Sequence, residues 1–503
     1  ISRNNQKEDK HVRHDPCIAM QGCVAESAIH HVRKHRKTLM EARMTKINTV
    51  LLNSLLARAD ARFGANKMHK VELPFASCQL RDSLTLIESL IKANRPDQLE
   101  AAIAQVRARF CKDADALKDL ALLLNRSDYF KEALDVARQG LALDPDHPLL
   151  HHNAARALSI RGDPASSRHH GEEATRLLPD VPQLKFQLAG TLLALGEFDE
   201  GWRRYRAFHD IPENAKDLVR PPYPEWSGQS VEGCRFLMVG EQGRGDEIQC
   251  LRFADWLHRQ GAIVDVLVSR PVAELARSMK SISTVHVHLP SVHYDFWSYM
   301  LRMPGHMKLD LTMLPGRVPY VCPPPQSVIH WRKILEAVSP RIAGERRVGI
   351  VWAGSPYHVL DRFRSIELGN MKPIFSLPGL TWFSVQKGER ERETESLGVD
   401  FDVYTLGPQI EDFSDTLAIL HSLDLLITVD TSVAHLAGAA GLPVWTLVPA
   451  YTEWRWLTDR TDSPWYPSMR LFRQRDLGDW TAVIEEVRDA LCEWSETPHS
   501  RTS

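Results

Sequence analysis

The stretch LLITVDTSVAHLAGAAGLPVWTLV (425–448) decides the fold. Five apolar or β-branched residues run into Asp430, and Thr431 and Ser432 can cap a helix through Ala434 to Ala440. Gly441 ends that helix, and Pro443 blocks its continuation into the next apolar strand. A helix starting at the carboxyl end of a parallel strand points unpaired N–H groups and the positive end of its dipole outward. Thr431 and His435 are four residues apart, so both are expected on one face of the first turns. Hydroxyl, imidazole and free amides would together seat a diphosphate. A capped, buried β-α unit with a core histidine fits the same residues.

Outward from this unit the pattern repeats. RVGIVWAG (347–354), TWFSVQKG (381–388), DLLITVD (424–430) and PVWTLVP (443–449) form one strand series. CRFLMVG (234–240), an amphipathic helix over 246–261 and AIVDVLVS (262–269) form another. Two parallel-sheet series in succession imply two Rossmann-like lobes with a cleft between them. Arg362 and Arg364 follow the W-A-G at 352–354, where a guanidinium could clamp phosphate or merely sit at the surface beside Asp361. Gln386 and Lys387 leave a strand at the same sheet edge. In the first series GEQGRGDEIQ (240–249) departs from the dinucleotide spacing G-x-G-x-x-G, so a nicotinamide cofactor is not expected. Asp246 there is either a helix cap or a carboxylate able to take a proton at the cleft, with Glu241 and Glu247 as neighbours. YTEWRWLTDRTDSPWYPSMRLFRQ (451–474) clusters Trp, Tyr and Arg, which suits sugar or base stacking and interlobe packing equally.

D-T-S-x-x-H-L-A-x-A-x-G-x-P resembles the donor-phosphate motif of heptosyltransferase-type glycosyltransferases, which adopt the two-lobed GT-B fold. The resemblance implies that Asp430, Thr431, Ser432, His435, Arg364, Gln386 and Lys387 bind a nucleotide-sugar donor and that Asp246 is the catalytic base. It also implies a final helix over 478–494 that crosses back to the first lobe.

Upstream, two segments superimpose at a shift of 34 residues: Pro145 on Pro179, Pro148 on Pro182, Ala155 on Ala189, Leu158 on Leu192 and Gly162 on Gly196. One shift earlier lie Ala121, Leu124 and Asp128. Small Ala lets paired helices approach, Leu fills the seam, and Gly permits the turn within a pair. This resembles the tetratricopeptide repeat family, with three or four repeats expected in 80–210. A concave face for a protein or peptide acceptor is what that family implies. Repeats joined to such a transferase are similar to protein O-linked N-acetylglucosamine transferases and to bacterial repeat-containing flagellin and adhesin glycosyltransferases.

The expected organisation is a basic, disordered extension over 1–75, repeats over 76–210 and a Pro-rich linker over 211–229. The first lobe follows over 230–335, then the second over 336–495 and a tail over 496–503. Lys plus Arg (62) nearly balances Asp plus Glu (64), although residues 1–70 hold 14 basic against 6 acidic, so no nucleic-acid partner is indicated. The eight cysteines are scattered, without metal or disulfide spacing, and no apolar run would span a membrane, so a cytoplasmic location is expected. Without a D-x-D-type site in the second lobe, no metal and no bound cofactor are expected. Self-association is left open. The function expected is inverting transfer of a sugar to a hydroxyl on a protein. A repeat scaffold with a degenerate transferase module and a nucleotide-sugar epimerase are the alternatives.

Overall fold

The computed structural model describes residues 79–496 apart from 217, 315, 343, 399 and 400. The basic segment 1–75 and the tail beyond 496 lie outside the described residues. Within them the fold is α + α/β, helical repeats followed by two parallel-sheet lobes.

Four helix pairs obey the 34-residue period. Their first helices begin at Leu80, Ala114, Pro148 and Pro182, and their second at Pro96, Phe130, Pro164 and Phe198. Proline at a helix start gives up no intrahelical hydrogen bond, and Asp113 and Asp163 cap their helices by accepting from Ala116 N and Ser166 N, each at 3.0 Å. The turn inside each pair needs a left-handed residue, and Asn94, Asp128, Gly162 and Gly196 supply it with φ of 51°, 67°, 78° and 83°. Asn and Asp tolerate that region better than other side chains. The chain divides into compact units at 1–106 and 107–503, and the last three pairs belong to the second. There Ala121, Ala155 and Ala189 are buried in the seams with Leu124, Leu158 and Leu192.

The first lobe holds strands β1 (Arg235–Val239), β2 (Ile263–Leu267), β3 (Thr284–His286) and β4 (Phe296–Tyr299), all parallel in the order β3-β2-β1-β4. The second holds β5 (Arg346–Val351), β6 (Leu380–Ser384), β7 (Val403–Thr405), β8 (Leu425–Val429), β9 (Val444–Val448) and β10 (Met469–Arg473). They too are parallel, in the order β10-β9-β8-β5-β6-β7. Their near-continuous apolar composition follows from helices covering both sheet faces.

Two helix expectations are corrected, and the linker between them gains its contacts. The helix read over 246–261 is two helices, Arg244–Cys250 and Arg252–Arg259, because Ala254 N bonds Leu251 O three residues back and tightens the ladder there. The 211–229 segment is anchored: Trp226 is buried, its N–H donates to Trp297 O at 2.8 Å, and Trp297 N–H donates to Pro224 O at 3.1 Å. The last helix, Thr481–Glu496, does not send its apolar face to the first lobe. Val483, Ile484, Val487 and Leu491 pack into the second lobe's core with Val348, Trp352 and Trp445.

One apolar core runs from Ala189 and Trp202 of the last repeat pair through Phe236 and Leu257 of the first lobe to Trp456 and Trp465 of the second. Trp454, Trp456, Trp465 and Tyr466 of the 451–474 stretch are therefore packing residues. Arg252, buried between the lobes, donates to Trp465 O at 3.3 and 3.2 Å and lies over the rings of Trp465 and Tyr466. Trp202 meets Trp454 edge-on at 5.0 Å, and Phe198 lies 6.4 Å from Trp465. Thr452 N–H donates to Ser159 O in a repeat turn at 2.8 Å.

Candidate active site

The helix after β1 and the helix after β8 meet because the first carries glycine at the contact. A Cβ on Gly245 would come within 2.9 Å of His435 Cδ2 and 3.4 Å of Ser432 Cα, so the Arg244–Cys250 and Ser432–Ala439 helices pack backbone to backbone. This places Asp246 of the first lobe beside the motif of the second. The β1 loop itself is held from three sides. Gln242, at φ 64°, hydrogen-bonds Tyr205 OH of the last repeat pair. Buried Glu241 accepts from Met300 N and Leu301 N, each at 3.0 Å, and lies 3.5 Å from His209 Nε2. Glu247 accepts from Ser269 N at 2.9 Å and from its hydroxyl at 2.5 Å. Burial raises both carboxyls above their ordinary range. Both are committed to bracing the loop, which leaves Asp246 as the acid facing the second lobe.

Asp246 does two things at once. Its Oδ2 accepts from Gly243 N at 2.8 Å, half of a capping box, and its Oδ1 takes an ion pair from Arg455. Arg455 is the hub. It donates to Gln249 Oε1 at 3.1 Å and to Glu453 Oε1 at 2.6 Å, with its guanidinium 4.0 Å over the Trp454 ring. Burial raises the Glu453 carboxyl, while the Arg455 charge opposes that rise.

In the second lobe Arg364 sits on the one-turn helix Asp361–Arg364 and donates to Asp361 Oδ1 at 3.2 and 3.0 Å. Any side chain at 354 would collide with that guanidinium, which explains the glycine of W-A-G. Asp430 is buried at the end of β8, and its charge acts on Tyr451 and Glu453. Burial raises Tyr451 well above the ordinary tyrosine range, with Asp430 adding to the rise. His358, at the surface near Arg364, Glu453, Asp361 and Arg455, is lowered first by loss of solvent around its ring and then by Arg364. Asp246, Asp361, Asp430, Glu453, Arg364 and Arg455 thus form one charged strip with a preponderance of carboxylates.

The other sequence-derived residues lie in different roles. Thr431 is the N-cap, accepting from Val433 N at 3.3 Å with Thr428 Oγ1 at 3.2 Å, and Ser432 begins the helix. His435 does not project beside Thr431. It is 4 % exposed, its Nδ1 is 2.9 Å from Tyr466 OH, and its ring stacks on Trp456 at 5.1 Å. Burial, with Arg455 and Arg252 nearby, holds it well below the ordinary imidazole value and so neutral. Gln386 is buried behind the β5 loop, accepting from Trp352 N at 3.2 Å and Ala353 N at 3.0 Å and donating to Ala353 O and Lys387 O. Lys387 donates to Gly407 O at 3.0 Å and lies 3.2 Å from Glu391. Among the described residues no three His, Cys, Asp or Glu side chains are grouped to hold a metal ion, and no helix is long and apolar enough to cross a membrane.

Arg455, Glu453, Tyr451 and His358 escaped the sequence reading. The first three stood inside a stretch flagged for its Trp, Tyr and Arg content, but no period there separates a site residue from a packing one.

The helix pairs and their 34-residue spacing can be set against known proteins. Residues 114–157 match the tetratricopeptide repeat family. The chain is 24% identical over 464 residues to Protein FlbA of Caulobacter vibrioides, covering 80% of this chain and 76% of that protein. Among solved structures, E. coli ADP-heptose lps heptosyltransferase II is 14% identical with a TM-score of 0.38, covering 52% of this chain and 100% of its own. The Thermobaculum terrenum O-GlcNAc transferase is 18% identical with a TM-score of 0.28, covering 84% and 95%.

Proposed function

We propose that the chain is a glycosyltransferase that moves a sugar from a nucleotide donor to a hydroxyl, with the tetratricopeptide array presenting a protein or peptide acceptor. The observation that carries this reading is the backbone-close packing of Gly245 on His435, which brings Asp246 to the D-T-S-x-x-H helix of the other lobe. In this reading the donor diphosphate lies at the start of the Ser432–Ala439 helix, near Asp430, Thr431 and Ser432. Arg364 neutralises the leaving group as its charge develops. Asp246 takes the proton of the attacking hydroxyl, and a single displacement inverts the anomeric centre. No metal or bound cofactor enters this scheme. Gln386, Lys387 and His435 act by holding the lobe in shape: the Gln386 amide is spent on backbone partners and the neutral imidazole is spent on Tyr466. Arg455 must leave Asp246 for that carboxylate to work as a base, and an incoming diphosphate is a competing anion for its guanidinium.

One observation favours a second reading. Both Asp246 oxygens are occupied and Arg455 fills the space between two carboxylates, as in a repeat scaffold whose transferase module has lost its activity. Screening hexosyl, heptosyl and N-acetylhexosaminyl nucleotide donors for hydrolysis, with mass spectrometry for transfer, separates the two. Turnover that vanishes in Asp246→Asn supports the transferase. Absence of hydrolysis and of nucleotide binding across the panel sinks it.

A further inference from the structure

We infer that Asp128, in the turn of the second helix pair, is a positioning residue for Arg364, so that the repeat array sets the geometry of the donor loop; this rests on Arg364 being the donor-phosphate ligand. The one-turn helix Asp361–Arg364 spends three consecutive side chains on three different neighbours. Arg362 pairs with Asp128 Oδ2 at 3.0 Å and covers the Phe363 ring at 4.5 Å. Phe363 meets Phe130, buried at the head of the next repeat helix, at 5.9 Å, and stands against Gly478 on its other side. Arg364 is then turned inward to Asp361 and Gly354. A helix of four residues has no ladder to define its own direction. Its orientation is therefore set by what grips it: the repeats through Asp128 and Phe130, and the second lobe through Gly478 and the Gln474 amide, which donates to Phe363 O at 3.3 Å.

Asp128 also differs from the turn residues of the pairs that follow it. At φ 67° it occupies the position that Gly162 and Gly196 fill in the following pairs, where glycine carries no steric cost. Asn94 holds the same place in the first pair, so the turn accepts a short polar side chain, and what sets Asp128 apart is a carboxylate that reaches Arg362.

Asp128→Gly tests this directly, because it relaxes the turn while removing the ion pair. The full chain should keep or raise its melting temperature. Backbone amides of 360–366 should nevertheless exchange with deuterium about three- to five-fold faster, the scale of one partly exposed ion pair. Arg362→Ala, at an exposed side chain, should give the same acceleration without touching the turn, and the double variant should add nothing. Unchanged exchange in both single variants overturns the inference. Calorimetry with UDP, GDP and ADP then keeps the two claims apart. If Arg364→Ala binds as the unmodified chain does, or if none of the three binds, the donor reading fails while the exchange result still decides the positioning claim. If Arg364→Ala weakens binding and Asp128→Gly does not, the donor reading survives and the positioning claim falls.

Discussion

Replacing Arg455 by methionine would remove the cation between Asp246 and Glu453 while leaving the aliphatic stem on Trp454. The three side chains are 12 %, 15 % and 20 % exposed, so water screens the two carboxylates poorly once the guanidinium is gone. Breaking such a pair by deleting one partner costs about 3–5 kcal/mol, a large share of the roughly 5–15 kcal/mol that holds a domain together. The penalty should depend on pH, and its sign follows from Glu453. Burial already raises this carboxyl and Arg455 restrains the rise, so the variant lifts it further. A carboxyl with a raised folded-state pKa contributes stability that is present below its unfolded value and lost as pH climbs through the folded one. The deficit should thus be largest near pH 8 and shrink toward about pH 5, by about 1.4 kcal/mol per unit of additional rise. Urea unfolding followed by tryptophan fluorescence at both pH values measures it. A deficit below about 1 kcal/mol near pH 8, or one equal at both, would refute the view that this guanidinium neutralises two buried acids.

Asp246→Asn keeps an acceptor for Gly243 N–H but cannot take a proton, so turnover should fall about 100-fold or more while nucleotide affinity, read by calorimetry, holds. Gly162→Ala and Gly196→Ala share a positive φ and should each lose roughly 1–2 kcal/mol in thermal melts. Gly162→Ala should lose about 1 kcal/mol more, because its Cβ would sit 2.5 Å from Ala450 O and displace the Thr452–Ser159 bond, whereas at 196 the nearest atom is Leu311 Cδ1 at 3.6 Å. Equal losses, with the Thr452 amide still protected from exchange, would count against the docked turn. A chain beginning at 226 uncovers Trp454 and Trp465 and should aggregate on gel filtration; a monodisperse fragment with undiminished nucleotide binding would show the seam to be dispensable.

The repeats and the strands β1, β2, β5, β6, β8 and β9 were legible in the sequence because their signals are local, whereas the edge strands β3, β4, β7 and β10 were not read. A 34-residue shift aligns Ala, Leu and Gly, and apolar strands end in Gly or Asp at regular distances. Even the odd residue was informative: Asp128 took the place of a glycine, and the structure gives it the glycine's backbone. The site was legible only where one element carried it. Asp246 and Arg364 could be nominated from their own loops. Arg455 could not, since its importance comes from partners 209 and 206 residues away, Asp246 and Gln249. The burial of His435 was hidden for a related reason. Helical spacing puts it on the same side as Thr431, but Gly245 removes the bulk that would keep the neighbouring helix away, and the imidazole becomes interior.

The continuous core from Trp202 to Trp465 has a consequence for how such a chain can change length. A solenoid ordinarily ends in a repeat whose outer face has turned polar. Here the last pair keeps an aromatic face, and the two lobes serve as its lid. A repeat inserted after Phe198–Tyr205 would lift that lid and unseat Tyr205 from Gln242, whereas one added ahead of the array would leave the joint untouched. Growth of the repeat surface is thereby confined to the far end, and the distance from the last pair to Asp246 stays fixed however long the array becomes.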